Sequence, residues 1–347
     1  MVKRYKARFE CLLVILMSLA LITTCGSTLA DGSPSSGTPE GKTFTIGLSS
    51  PASLEFIVLE QARYVKQFGE EKGWTVHVVN ADGDADRQVS QIQTLLTHDL
   101  DLLLLTPVDV NAVGVALRQA VDEGVIVAVI DRFLDTDPYS FRVTYDPYII
   151  GRTMAQEAVN AGIRGNYVIL GGDNTNTLVY EFTRGKMDVL QPYIDSGEIT
   201  IVMEQYCLRW SPEQGLMHAE NALTVNNNDI QAFLCANDNI AAGAVQALET
   251  VGLQGQVFIT GQDSEAHAIV RISEGTQNIT LFKNPAITAR HVIDVAELYL
   301  TDRVTEADAL ASVKNEYGTN MFYLDPVVIN KDNYREILVD TGIVTLN

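Results

Sequence analysis

The sequence predicts an α/β protein of two similar lobes in tandem, each a parallel sheet covered by helices. Three observations predict it. The chain has 347 residues, more than a single core usually supports at about 250–300. Near-continuous apolar runs such as Leu100–Thr106 and Val125–Ile130 read as strands buried on both faces. Such runs alternate with amphipathic stretches of helical length, as right-handed parallel crossovers require.

The alternation starts at Phe44. Strands are expected at 44–49, 75–80, 100–106 and 125–130, with helices over 54–72, 87–98 and 111–123 between them. Gly73 and Gly124 end two of those helices, as a left-handed C-cap residue does. A second series begins near Ile149, with helices at 149–162, 178–195, 212–225, 240–252 and 264–274. Its strands fall at 167–170, 199–206, 231–236, 257–259 and 279–282, and a further helix follows over 286–301. The segment 131–148 reads as an irregular crossover that interrupts the repeat, which favours two lobes over one large α/β barrel.

Composition narrows the function. Hydrophobic residues make up 46% and charged ones 20%, a packed globular protein rather than a disordered chain or a polytopic membrane protein. The net charge of −20, without clustered Lys or Arg, argues against nucleic acid or an anionic membrane surface as partner.

The N-terminus reads as an export signal. Lys3, Arg4, Lys6 and Arg8 precede an apolar run of twelve residues, Cys11 to Ile22, short of the ~20 a bilayer crossing needs; a retained signal anchor is the alternative. Two cleavage sites compete. Ile22-Thr23-Thr24-Cys25-Gly26 resembles a bacterial lipobox, which would make Cys25 a lipidated first residue; Thr28-Leu29-Ala30 would suit ordinary signal peptidase. Residues 31–41, rich in Gly, Ser and Pro, read as a flexible tether. Removing residues 1–24 takes away a net three positive charges and leaves −23. Cys207 and Cys235 end apolar runs and read as reduced, partly buried thiols, with a disulfide between them as the alternative.

Open parallel sheets bind ligands beyond the carboxyl ends of their strands. At those positions stand Asp131 and Arg132, Asp146, a loop with Trp210, Asn237 and Asp238, Gly261-Gln262-Asp263, and Lys283. This set suits a small polyhydroxylated ligand. Each hydroxyl both donates and accepts, so carboxylates take its proton while Arg, Lys and amide NH2 groups donate to its oxygen. An indole packs against the C–H face of a pyranose. Helix capping by Asp or Asn and simple packing by Trp are the competing readings, with Asn237 and Asp238 the clearest caps.

Other chemistries lack their residues. His77, His98, His218, His267 and His291 have no metal-ligand spacing, and neither a Gly-x-Ser-x-Gly elbow nor a Walker loop occurs. The alternating acids from Asn80 to Asp86 lack the closing Glu of a calcium loop and read as a strand–helix turn. No cofactor, metal or catalytic residue is expected.

At these strand ends the sequence resembles the bacterial D-xylose-binding proteins of sugar ABC transporters, within the ribose-type periplasmic binding proteins. The similarity runs from about Phe44 to Val344. It is carried by Asp131-Arg132, Gln191-Pro-Tyr-Ile-Asp-Ser-Gly197, Glu220-Asn-Ala-Leu-Thr-Val-Asn-Asn-Asn228, Ala236-Asn-Asp238, Gly261-Gln-Asp263 and the tail Val328-Ile-Asn-Lys-Asp-Asn333. The resemblance implies two Rossmann-like lobes joined by a three-segment hinge, the type I periplasmic binding protein fold. It assigns 43–131 and 284–323 to the first lobe, 132–283 and 324–330 to the second, and 331–347 to an extension.

Carried over by position, the sugar ligands are Asp131, Arg132, Trp210, Asn237, Asp263 and Lys283; Asp146, a further ligand, sits in a matching crossover segment where Pro147 replaces the Asn usual after it. Two loops depart from the pattern. Pro51-Ala-Ser-Leu-Glu-Phe-Ile-Val58 replaces an arginine-containing run, leaving Glu55 and Phe56 as contacts. In Asp173-Asn-Thr-Asn-Thr-Leu178, Asn176 stands where an Asp is usual and Leu178 where an Asn is. The resemblance therefore implies a monosaccharide, xylose or a related aldose, without fixing which. It further implies a non-enzymatic, exported, monomeric protein that hands its sugar to an ABC permease, on the membrane only through a lipid anchor. A sugar-sensing subunit docking on a membrane histidine kinase or chemoreceptor is the alternative partner assignment.

Overall fold

The computed structural model describes residues 43–51, 56–131, 139–174, 178–314 and 318–346. The export signal, Cys25 and the tether lie outside them, as do Glu55, Arg132, Asn176 and the side chain of Phe56. No helix among the described residues is long and apolar enough to cross a membrane.

The first series opens with β1 (Thr45–Ser50), α1 (Phe56–Glu71), β2 (Thr75–Asn80), α2 (Ala85–Leu96) and β3 (Leu102–Leu105). It continues with α3 (Gly114–Asp122), β4 (Ile126–Ile130) and β5 (Phe141–Tyr145). In β3 all four leucines are fully buried. Leu102 and Leu104 join one apolar cluster while Leu103 and Leu105 join another with α2 and α3, so the alternation of side chains fills both faces of the sheet.

The second series runs α4 (Pro147–Asn160), β6 (Gly165–Gly171), α5 (Leu178–Asp195), β7 (Ile199–Tyr206), α6 (Pro212–Val225) and β8 (Ala232–Cys235). Then come α7 (Asp238–Thr250), β9 (Phe258–Thr260), α8 (Ala266–Glu274) and β10 (Ile279–Phe282). There follow α9 (Pro285–Leu300), α10 (Val304–Leu310), β11 (Val313–Lys314), β12 (Asn320–Leu324) and β13 (Val327–Asn330), and a π-helical turn at Arg335–Val339 comes last.

Pairing sorts these strands into two bodies. The first sheet has the order β11-β12-β5-β4-β3-β1-β2, parallel except at β11, and the second β7-β6-β8-β9, parallel throughout. A parallel bridge from Gln262 to Leu281 sets β10 beside β9, and β13 pairs antiparallel with β10. Two separate sheets exclude a single barrel. The chain passes between them at Asp146, between Phe282 and Pro285, and between Leu324 and Val327.

One assignment is corrected. Residues 141–145 are neither irregular nor part of the second lobe: β5 pairs with β4 on one side and β12 on the other, all parallel. Its five residues are all buried, with Arg142 only 2% exposed, so the polar residues that disguise the strand in sequence sit inside the protein. The C-terminal residues are also packed, with Leu338 and Val344 buried against Ile269, Ile272, Phe282 and Ile329.

Helix pairs in the second lobe meet backbone to backbone. A Cβ on Gly151 of α4 would lie 1.9 Å from the Phe182 carbonyl oxygen of α5, and one on Gly185 of α5 would lie 2.0 Å from the Tyr148 carbonyl oxygen of α4. No side chain fits at either position.

Candidate functional site

The strand ends of the two sheets converge at the crossovers. Asp131 follows β4 with φ of 66°, its amide bonded to Val143 O at 3.0 Å. Its carbonyl oxygen accepts from the Arg142 guanidinium and from Thr144 Oγ1 at 3.0 Å, and its Oδ1 lies 3.4 Å from the same hydroxyl. Asp263 follows β9 with φ of 94°, and Gln262 Nε2 donates to its Oδ1 at 3.0 Å. Lys283, at the end of β10, places its Nζ 3.6 Å from Asp263 Oδ1.

Electrostatics tie these residues together. Burial works to strip the Lys283 proton, but the carboxylates of Asp131 and Asp263 outweigh it and hold the pKa above the ordinary lysine value. One ammonium thus answers two carboxylates, one from each lobe. Tyr145 also faces Lys283. Its hydroxyl lies 3.1 Å from Thr288 Oγ1 and 3.3 Å from Asn284 O, and burial pushes its pKa up to about 12.

Trp210 closes a 3₁₀ turn, and both it and Arg209 have φ of 56°. Its indole lies across Gly172, where a Cβ would come within 2.3 Å of the ring, and its edge meets Phe182 at 6.3 Å. Left-handed backbone at Asp131, Arg209, Trp210, Asp263 and Ser264 costs energy in non-glycine residues, and such strain gathers at functional sites.

Two expected ligands serve as helix caps. Asn237 is 6% exposed, and its Oδ1 accepts from Ile240 N at 2.9 Å at the start of α7. Asp146 Oδ1 accepts from Tyr148 N at 2.9 Å, capping α4, and partial burial raises its pKa. Asp238 is fully buried and holds the neighbouring loop, accepting from Gln277 Nε2 at 2.8 Å, Thr280 Oγ1 at 2.9 Å and Glu265 N at 3.1 Å.

The geometry brings Asp131, Asp263 and Lys283 together. It places Trp210, Asn237 and Asp146 on neighbouring strand ends, while Arg132, Asn176, Glu55 and Phe56 lie outside the described side chains. Thr144 and Tyr145 went unnoticed in sequence, and Gln262 was placed at a strand end without a role. Gln262 adjoins Asp263, which was the available signal; Thr144 and Tyr145 lie in the unrecognised β5. Beside the carboxylate set, a cavity of about 410 Å³ opens between β5, β12 and α5, lined in part by Asp146 of the expected ligands and by Leu178 of the divergent 173–178 loop. Cys207 and Cys235 are free and buried, as read from sequence; burial pushes the Cys207 thiol up to about 12 and Cys235 up as well. Among the described residues no cluster of His, Cys, Asp or Glu could hold a metal ion.

The chain matches the periplasmic binding protein domain over residues 46–303. It belongs to the periplasmic binding protein family. This binding protein is 33% identical over 280 residues to the D-xylose-binding periplasmic protein of Escherichia coli K12, covering 80% of this chain and 84% of that one. It is 32% identical over 329 residues to the Haemophilus influenzae protein of the same name, covering 94% and 97%. Among solved structures, an ABC transporter solute-binding protein from Clostridium phytofermentans with bound β-D-glucose superposes with a TM-score of 0.69 at 24% identity, covering 87% of this chain and 98% of that one. That likeness establishes the type I binding-protein fold. The family consists of solute-binding proteins rather than enzymes, and the two relatives named for xylose are periplasmic.

Proposed function

We propose that the protein captures a monosaccharide, xylose or a related aldose, by closing its two lobes around it, and delivers it to the permease of an ABC transporter. The observation that carries this reading is the placement of Lys283 between Asp131 of one lobe and Asp263 of the other. Carboxylates accept from sugar hydroxyls and the ammonium donates to them, and hydrogen bonds to charged groups contribute about 1.5–3 kcal/mol each. Without ligand, the three charges answer one another.

The Trp210 indole supplies an apolar face for the ring. Asn237 gives its oxygen to the helix, leaving its NH2 for a ligand. The crossovers at Asp146, Lys283 and Leu324–Val327 are the proposed hinge, and the relatives' names support sugar as the ligand class. An anchor at Cys25 would keep the protein at the outer face of the cytoplasmic membrane.

Titration calorimetry against aldopentoses, aldohexoses and inositols tests the proposal. One aldose is expected to bind, and Asp263→Ala to weaken it at least about ten-fold with the fold retained. Binding that Asp263→Ala leaves unchanged would overturn the site.

A further inference from the structure

We propose that the cavity beside the hinge is a second subsite for a further glycosyl unit, extending the ligands of this protein to disaccharides. This rests on the sugar reading above. The cavity measures about 410 Å³, within the range of small-molecule pockets. Arg142, Thr144 and Tyr323 of the first sheet form one wall, and Glu181 and Arg184 of α5 in the second lobe face them. Asp146 and Tyr148 close it at the crossover.

The cavity and the carboxylate set share a partition. Thr144 lines the cavity, and its Oγ1 reaches the Asp131 carbonyl oxygen at 3.0 Å and Oδ1 at 3.4 Å. Asp146 lines the cavity and also follows β5, at the strand end where a ligand of the first site would lie. A sugar held at Asp131 would therefore have this space next to it.

The lining chemistry selects the class of occupant. Two guanidinium groups, Arg142 and Arg184, balance two carboxylates, Asp146 and Glu181, so no net charge attracts an ion. An anion would meet Asp146 and Glu181, and a cation the two arginines. Arg142 already donates to the Asp131 carbonyl, Arg184 pairs with Glu181 and Asp146 caps α4, so the lining offers both donors and acceptors without a net charge, as suits a neutral polyol. The phenol rings of Tyr148 and Tyr323 add aromatic surface for C–H faces, with Arg184 stacked 4.4 Å over Tyr148. Because the walls come from both lobes, closure would grip the second unit as well as the first.

The test uses matched pairs: D-xylose with its β-1,4-linked dimer xylobiose, and D-glucose with cellobiose. Each is titrated into the intact protein and into the Glu181→Ala/Arg184→Ala double variant, whose side chains are 42% and 57% exposed and pair with each other on α5. A disaccharide is expected to bind the intact protein. The double variant should lose at least about ten-fold in disaccharide affinity and keep its monosaccharide affinity within about two-fold. A monosaccharide that binds while neither dimer does overturns the inference and leaves the sugar reading intact. Equal weakening of both ligands also overturns it. If no sugar binds at all, both fall together.

Discussion

At the scale of single residues, the proposed ligands stand where apolar runs end. Asp131, Asp263 and Lys283 follow apolar runs, so their places could be counted from the hydrophobic pattern. The roles of the groups that support them were not legible. Thr144 acts through a hydroxyl that no periodicity marks, Gln262 was placed at a strand end without its bond to Asp263, and Asn237 combines capping with its proposed contact. Lys186, a charged residue within α5, is 1% exposed, which the sequence does not mark. Burial pulls its pKa down to about 8, although the nearby Cys235 and Glu204 oppose the shift. Below that pH the folded protein carries a buried ammonium. Between pH 8 and about 10.4, where free lysine titrates, the unfolded chain binds more protons and stability rises with pH. Lys186→Met should therefore stabilise the protein by about 2 kcal/mol at pH 7, with the gain shrinking towards pH 10. Urea unfolding at both pH values measures this; a variant no more stable at pH 7 would contradict it.

At the scale of elements, the helices were more legible than the late strands. Capping residues and 3.6-residue periodicity mark α6 and α9, each with Pro at its first position and a side-chain cap from Ser211 or Asn284. By contrast β12 and β13 return to sheets begun far earlier in the chain, which no local pattern announces, and β5 is disguised by the buried polar residues Arg142 and Thr144. The contact between α4 and α5 is a further element-level feature, because Gly151 and Gly185 let two backbones touch. Gly185→Ala is expected to cost about 2–3 kcal/mol, since the obstacle is a carbonyl that cannot rotate away. A urea midpoint equal to that of the parent would refute this. The same contact fixes how α5 presents Glu181 and Arg184 to the cavity, so Gly185→Ala should also weaken disaccharide binding.

At the scale of the whole molecule, the two-sheet plan was legible, and the error lay in where the first lobe ends. Closure is a property of the whole, and X-ray scattering should show a smaller radius of gyration when a bound aldose is added, with the midpoint of that change shifted to higher sugar concentration in Asp263→Ala. A radius unaffected by saturating sugar would rule out closure. The net charge of −20 makes the compact state repel itself, so raising salt from about 10 to 200 mM should raise the melting temperature; a fall would show that local ion pairs dominate. The three passages between sheets also bear on the order of synthesis. The first sheet needs β12, and its α1 packs against α9, but both arrive only after α4–α8 of the second lobe have been made. Until residue 324 emerges, the first half of a growing chain has an open edge at β5 and an uncovered face on α1. A chain that must cross a membrane before folding gains from this delay, because its amino-terminal half has no complete partner set with which to fold too soon.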